Sequence, residues 1–132
     1  MRLSQKLRIA ACMAFMPFIT VHVGMASEAE KAALKNAPAL KLAAAGAITL
    51  KKNARDPDSF VLEDVALRAD EAICYTYRAR NGFGGMNREN AVLSHDRKKF
   101  LQSGDAGFVR LWNHECSGKT GKNITGDVQV LM

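Results

Sequence analysis

The chain has 132 residues, of which 24% are charged, and its formal net charge is +6. This length favours one domain rather than two. The first 26 residues contain three basic residues and no acid, which leaves 16 basic against 13 acidic residues in the remainder, a net charge of +3. So modest a charge argues against a nucleic-acid-binding protein.

Residues 1–26 have the pattern of a secretory signal peptide. The basic start is followed by an apolar run over residues 9–23, and small residues then offer a cleavage site. The alternative is an uncleaved membrane anchor, but the run is shorter than the ~20 residues of a spanning helix, and Pro17 and His22 interrupt it. We therefore predict a periplasmic or secreted protein, with residues 27–132 forming one small domain and no membrane span after cleavage.

A helical region is predicted for residues 27–55, which are rich in alanine, lysine and leucine. Pro38 is tolerated better at a helix start than in a helix interior, so the pattern predicts two helical pieces with a break there. The string Asp-Pro-Asp-Ser at residues 56–59 then predicts a tight turn, because proline disfavours helical backbone at the residue before it. This turn accounts for the paired acids without a catalytic role.

Three strands of an antiparallel meander are predicted next. The first begins at Phe60, and a shift in its apolar alternation at Glu63 and Asp64 predicts a bulge or a short break in the strand. Residues 72–80 alternate most clearly and form the second strand, and residues 87–94 form the third. A glycine-rich turn joins the second strand to the third.

The last part of the chain predicts a loop, a helix and a strand. Residues 95–104 are polar and basic, which is typical of a surface loop. Apolar residues at helical spacing then predict a short amphipathic helix ending near Cys116. The alternation of Val128 and Val130 predicts a final strand.

A disulfide is predicted between Cys74 and Cys116. Cys12 belongs to the leader, and the even pair that remains in an exported protein favours a disulfide over a metal site or a nucleophile. The helix that carries Cys116 should cover the Cys74 end of the second strand and leave the Arg80 end open. The predicted fold class is therefore α+β: an N-terminal helix packed on a small antiparallel sheet, with a second short helix tied to the sheet by the disulfide.

No metal or cofactor site is predicted. His95 and His114 are the two histidines after the leader, and neither has a second ligand at the spacing that metal sites use. The sequence also lacks a Gly-x-Ser-x-Gly nucleophile elbow. A small secreted enzyme, a hydrolase using His95 or His114, is the alternative function.

One candidate ligand-binding site lies at the glycine-rich corner after the second strand. Arginines on one strand face would bind an anion, free amide groups of the turn would cradle it, and Phe83 would offer a flat apolar surface. The competing interpretation is a solvated strand face beside a hairpin that needs glycine, with Phe83 tucked into the core. The candidate residues are Arg78, Arg80, Asn81, Phe83, Gly84, Gly85 and Arg88.

Four features of the chain resemble a group of small exported bacterial proteins of unknown function. They are the Asp-Pro-Asp-Ser-Phe turn at residues 56–60, Cys74 in a strand, the Asn-Gly-Phe-Gly-Gly corner at residues 81–85, and Trp112 shortly before Cys116. The resemblance covers most of the chain after the leader. It implies export and the fold, and it implies no activity.

The function we expect is that of an exported, non-catalytic binding or interaction module of the bacterial cell envelope. Its partner would be an anionic envelope component or another protein.

Overall fold

The computed structural model of the protein describes the backbone of residues 28–132 and the side chains from residue 37 onward. The predicted signal peptide lies outside the described residues. A 3-10 turn at Pro57–Ser59 links the first helix to the sheet. The other elements, in chain order, are α1 (Glu28–Asn53), β1 (Val61–Arg68), β2 (Ile73–Arg80), β3 (Met86–Leu93), β4 (Phe100–Gln102), α2 (Phe108–Glu115), β5 (Gly121–Asn123) and α3 (Thr125–Leu131).

The five strands form one antiparallel sheet in the order β4-β3-β2-β1-β5. The first three strands make the meander that the alternating pattern predicted. The register between β1 and β2 shifts between Leu62 and Asp64, so Glu63 is the extra residue of a bulge. The predicted bulge is confirmed.

Helix α1 packs on one face of the sheet through a row of small side chains. Ala43 and Ala47 are fully buried, and Leu50 is nearly so. Because the alanines and Gly46 are small, the helix comes close to the sheet: a Cβ atom placed on Gly46 would lie 2.3 Å from the hydroxyl oxygen of Tyr75. That hydroxyl donates a hydrogen bond to the carbonyl oxygen of Ala43 at 3.1 Å, which satisfies the polar end of a fully buried ring.

Helix α2 packs on the opposite face and is joined to β2 by the Cys74–Cys116 disulfide. The two Cα atoms are 5.9 Å apart, within the range that a disulfide spans. Both cysteines are buried in a second apolar cluster with Ala66 and Val92 of the sheet. The α+β fold and the disulfide are therefore confirmed.

Helix α1 is continuous, and the predicted break at Pro38 is wrong. Pro38 lies inside the helix with its ring exposed, while Ala39 and Ala43, at helical spacing, are buried beneath it. Because burial of Ala39 and Ala43 stabilises the helix, it continues through Pro38, although a proline by itself disfavours a helix interior.

Two predictions for the last part of the chain are also wrong. The region 95–104 is not all loop, because the three residues of β4 pair with β3. The final strand predicted around Val128 is the helix α3, and the last strand is β5, which pairs with β1. Ile124 and Val128, four positions apart, are 3% and 0% exposed, whereas Val130 is 85% exposed, so burial follows the helical period and not the strand period.

Candidate functional site

The face of the sheet that carries α2 is covered at one end only. The buried cluster around the disulfide lies at the start of β2, and the end of the same strand carries the exposed side chains of Arg78 and Arg80. Arg88 lies directly opposite Arg78 in the register of β2 and β3, and Met86 lies opposite Arg80. The prediction that the helix leaves the Arg80 end open is confirmed. We call this surface the open arginine end.

Glu63 organises the arginines of the open arginine end. The bulge turns this residue onto their face, where its carboxylate accepts hydrogen bonds from Nε of Arg78 and, at 2.6 Å, from Nε of Arg88. The hydrogen bond from Arg88 is the main reason why the pKa of Glu63 lies below its usual value. Two guanidinium groups thus share one carboxylate, and the cluster keeps a net positive charge. Sequence reasoning found the bulge but missed this role of Glu63.

Arg80 is held by the turn that precedes the sheet. One of its terminal nitrogens is 3.5 Å from the carboxylate of Asp56, and its backbone N–H donates to the hydroxyl of Ser59 at 2.8 Å. The Asp-Pro-Asp-Ser turn therefore fixes the end of β2 as well as ending the helix. The side chain of Arg80 remains 54% exposed.

The backbone amides of the glycine-rich corner donate hydrogen bonds within the corner itself. The side-chain oxygen of Asn81 accepts from the N–H groups of Phe83 at 2.9 Å and Gly85 at 3.0 Å, and the N–H of Gly84 donates to the backbone oxygen of Asn81 at 3.1 Å. Gly84 has φ of +86°, a conformation that favours glycine. These three amides are not free to cradle an anion as expected, so anion binding here would depend on the arginine side chains.

Phe83 is at the tip of this corner and is 99% exposed. The interpretation that tucked it into the core is wrong. Two further apolar side chains of the open arginine end, Val61 and Met86, are 43% and 45% exposed. The structure thus brings three arginines together with three solvent-exposed apolar side chains at one end of the sheet.

The two histidines meet at a second location. Nδ1 of His95 is 2.7 Å from Oε1 of Glu115, and Nδ1 of His114 is 3.4 Å from the same oxygen. Glu115 is 1% exposed, and its other oxygen, Oε2, has no hydrogen-bond partner among the described residues. The hydrogen bond to Glu115 raises the pKa of His95. Sequence reasoning missed this cluster because residue 95 follows β3 and only tertiary packing brings it to α2.

The histidine cluster lacks the hydroxyl that a hydrolytic triad needs. In the described part of the chain neither histidine has a hydroxyl among its hydrogen-bond partners, and the nearby Ser94 hydroxyl donates instead to Asp96 at 2.6 Å. No group of three or more His, Cys, Asp or Glu side chains among residues 37–132 has the arrangement of a metal site. The cluster is a buried carboxylate in contact with two imidazoles.

None of the described helices combines the length and apolar character needed to cross a membrane. Comparison of the chain with protein families, with curated proteins and with solved structures found no match.

Proposed function

We propose that the protein is an exported, non-catalytic binding module of the cell envelope, and that its open arginine end docks on an anionic lipid surface. The observation that carries this proposal is the full exposure of Phe83 beside Arg78, Arg80 and Arg88. An exposed aromatic tip flanked by cations is suited to the headgroup region of a bilayer, where the ring meets apolar chains and the guanidinium groups meet phosphates.

On docking, an arginine of the open arginine end would exchange the carboxylate of Glu63 for a lipid phosphate, and the exposure of these ion pairs permits that exchange. Exposed ion pairs contribute little to stability, and the side chains of Arg88 and Arg78 are 67% and 47% exposed where they contact Glu63. A guanidinium group forms the same kind of charge-assisted hydrogen bond with a phosphate as with a carboxylate. One guanidinium can therefore move from Glu63 to a lipid phosphate at little cost, while Glu63 keeps its second arginine.

Export is supported by the signal-peptide pattern of residues 1–26 and by the disulfide, since disulfides persist in oxidising compartments.

The test is sedimentation of the purified protein with vesicles of phosphatidylethanolamine and phosphatidylglycerol, compared with neutral phosphatidylcholine vesicles. Arg88→Ala and Phe83→Ala should each weaken binding to the anionic vesicles, by about fivefold for the arginine, because a basic residue near an anionic surface contributes about 1 kcal/mol. Added salt should reduce binding of the unchanged protein.

Arg97→Ala is the matched control. Arg97 is also an exposed arginine in contact with a glutamate, Glu71 at 3.0 Å, but it lies in the turn between β3 and β4. Its loss should leave vesicle binding unchanged. Equal binding to neutral and anionic vesicles, or equal losses in the Arg88 and Arg97 variants, would contradict the proposal.

A hydrolase using His95 or His114 is the second candidate, because both histidines share the carboxylate of Glu115. Turnover of a nitrophenyl ester that is lost in either His95→Ala or His114→Ala would support it. Turnover that survives both substitutions would dismiss it.

A further inference from the structure

A groove of about 420 Å³ lies between α2 and the edge strand β4. This volume falls in the range of small-ligand sites, ~300–1,000 Å³. The groove shares no lining residue with the open arginine end. Its main lining residues are Lys99, Leu101, Ala106, Arg110, Leu111 and His114.

The floor of the groove is apolar and held in place by the core. Leu101 of β4 and Leu111 of α2 both pack against the buried cluster around the disulfide, so neither can move aside without disturbing that cluster. Ala106, in the turn before α2, is exposed at one side of the groove. The small side chain of Ala106 leaves the space open.

The rim of the groove is cationic. Lys99 and Arg110 are exposed, neither forms an ion pair with any described residue, and no acidic side chain lines the groove. The backbone N–H of Lys99 donates to the hydroxyl of Ser94 at 3.0 Å, which fixes the turn that carries this lysine. His114 completes the rim, and the one carboxylate near it, that of Glu115, is buried and already engaged by His95.

We infer that this groove binds a single-chain amphiphilic carboxylate, with its acid group between Lys99 and Arg110 and its acyl chain over Leu101 and Leu111. Two cations that have no acidic partner among the described residues complement one anionic head. The apolar floor complements an acyl chain, whereas a neutral amphiphile offers the two cations no opposite charge and a cationic one is repelled by them.

The experiment is calorimetric titration of the purified protein with octanoate, using octanol and octylammonium as probes of the same chain length. Octanoate should bind, and the other two should bind at least tenfold more weakly. Affinity should rise from hexanoate to octanoate to decanoate by up to about fourfold for each methylene that the floor buries.

Two variants locate the site. Arg110→Ala should weaken octanoate binding at least tenfold, and Ala106→Phe should abolish it by filling the groove from its exposed side. Lys98→Ala is the control, because Lys98 is an exposed lysine beside Lys99 that does not line the groove. Circular dichroism of each variant shows whether the fold is retained, and if Ala106→Phe does not fold, Arg110→Ala decides.

Three results would overturn the inference. They are equal affinity for octanol and octanoate, affinity that does not change with chain length, and equal effects of the Arg110 and Lys98 substitutions. Because vesicle docking is measured on different residues, failure of one proposal leaves the other standing.

Discussion

Replacing Gly46 by alanine sets two effects of opposite sign against each other. In the interior of a helix alanine is more favourable than glycine by about 1 kcal/mol, and α1 is helical throughout this region. The new methyl group, however, would meet Tyr75, whose hydroxyl oxygen is 2.3 Å and whose ring carbon Cζ is 2.9 Å from the added Cβ. Tyr75 is fully buried, so its ring has no solvent to move into.

The clash should outweigh the gain in helix propensity. Extra volume in a packed core costs about 1–3 kcal/mol. A shift of Tyr75 also breaks the hydrogen bond from its hydroxyl to Ala43, and a buried hydroxyl without a partner costs about 1–3 kcal/mol more. After subtracting the gain in helix propensity, we expect Gly46→Ala to lower the free energy of unfolding by roughly 3 kcal/mol and the melting temperature by roughly 15 °C.

The assay is thermal and urea unfolding followed by circular dichroism, with two further variants. Tyr75→Phe removes the clashing hydroxyl, so the double variant should be more stable than the two single effects predict by at least about 1 kcal/mol. Gly126→Ala is the control, because an added Cβ in α3 would meet no atom within 4 Å. A Gly46→Ala protein that melts at or above the temperature of the unchanged protein would refute the reasoning.

Reduction of the disulfide, or Cys116→Ser, should lower the free energy of unfolding by about 4 kcal/mol on the chain-entropy model, since the two cysteines are 42 positions apart; unfolding in urea with and without reductant measures it, and equal midpoints would contradict it. The raised pKa of His95 predicts that its interaction with Glu115 stabilises the fold fully below the ordinary histidine value of 6.5 and stops doing so as the pH rises through the folded pKa. The stability lost in His95→Ala should therefore be larger in acid than in alkaline buffer, and a loss independent of pH would exclude this linkage. Gly121→Ala should detach β5 from β1, because its Cβ would lie 2.8 Å from a backbone carbonyl oxygen of β1; hydrogen exchange of the β5 amides should rise, and unchanged protection would show that the edge adapts.

The sequence alone was enough to predict the elements whose signal is local and repeated. Alternation over residues 72–80 identified β2, the phase shift at Glu63 identified the bulge, and the cysteine pair identified the disulfide. The strand and the bulge depend on the alternation of neighbouring side chains, and the disulfide depends on the number of cysteines. Both can be seen in the sequence without knowledge of the fold.

Only the tertiary structure decided which partners the charged and aromatic side chains of the candidate sites meet. The short strands β4 and β5 form because longer strands offer them an edge, and three residues carry too little pattern to predict that pairing. The same packing gives Glu63 two arginines and gives Glu115 two histidines, one of them 20 positions away. It also leaves Phe83 in solvent, since a turn residue reaches the core only where another element lies over it, and none of the described elements covers this corner.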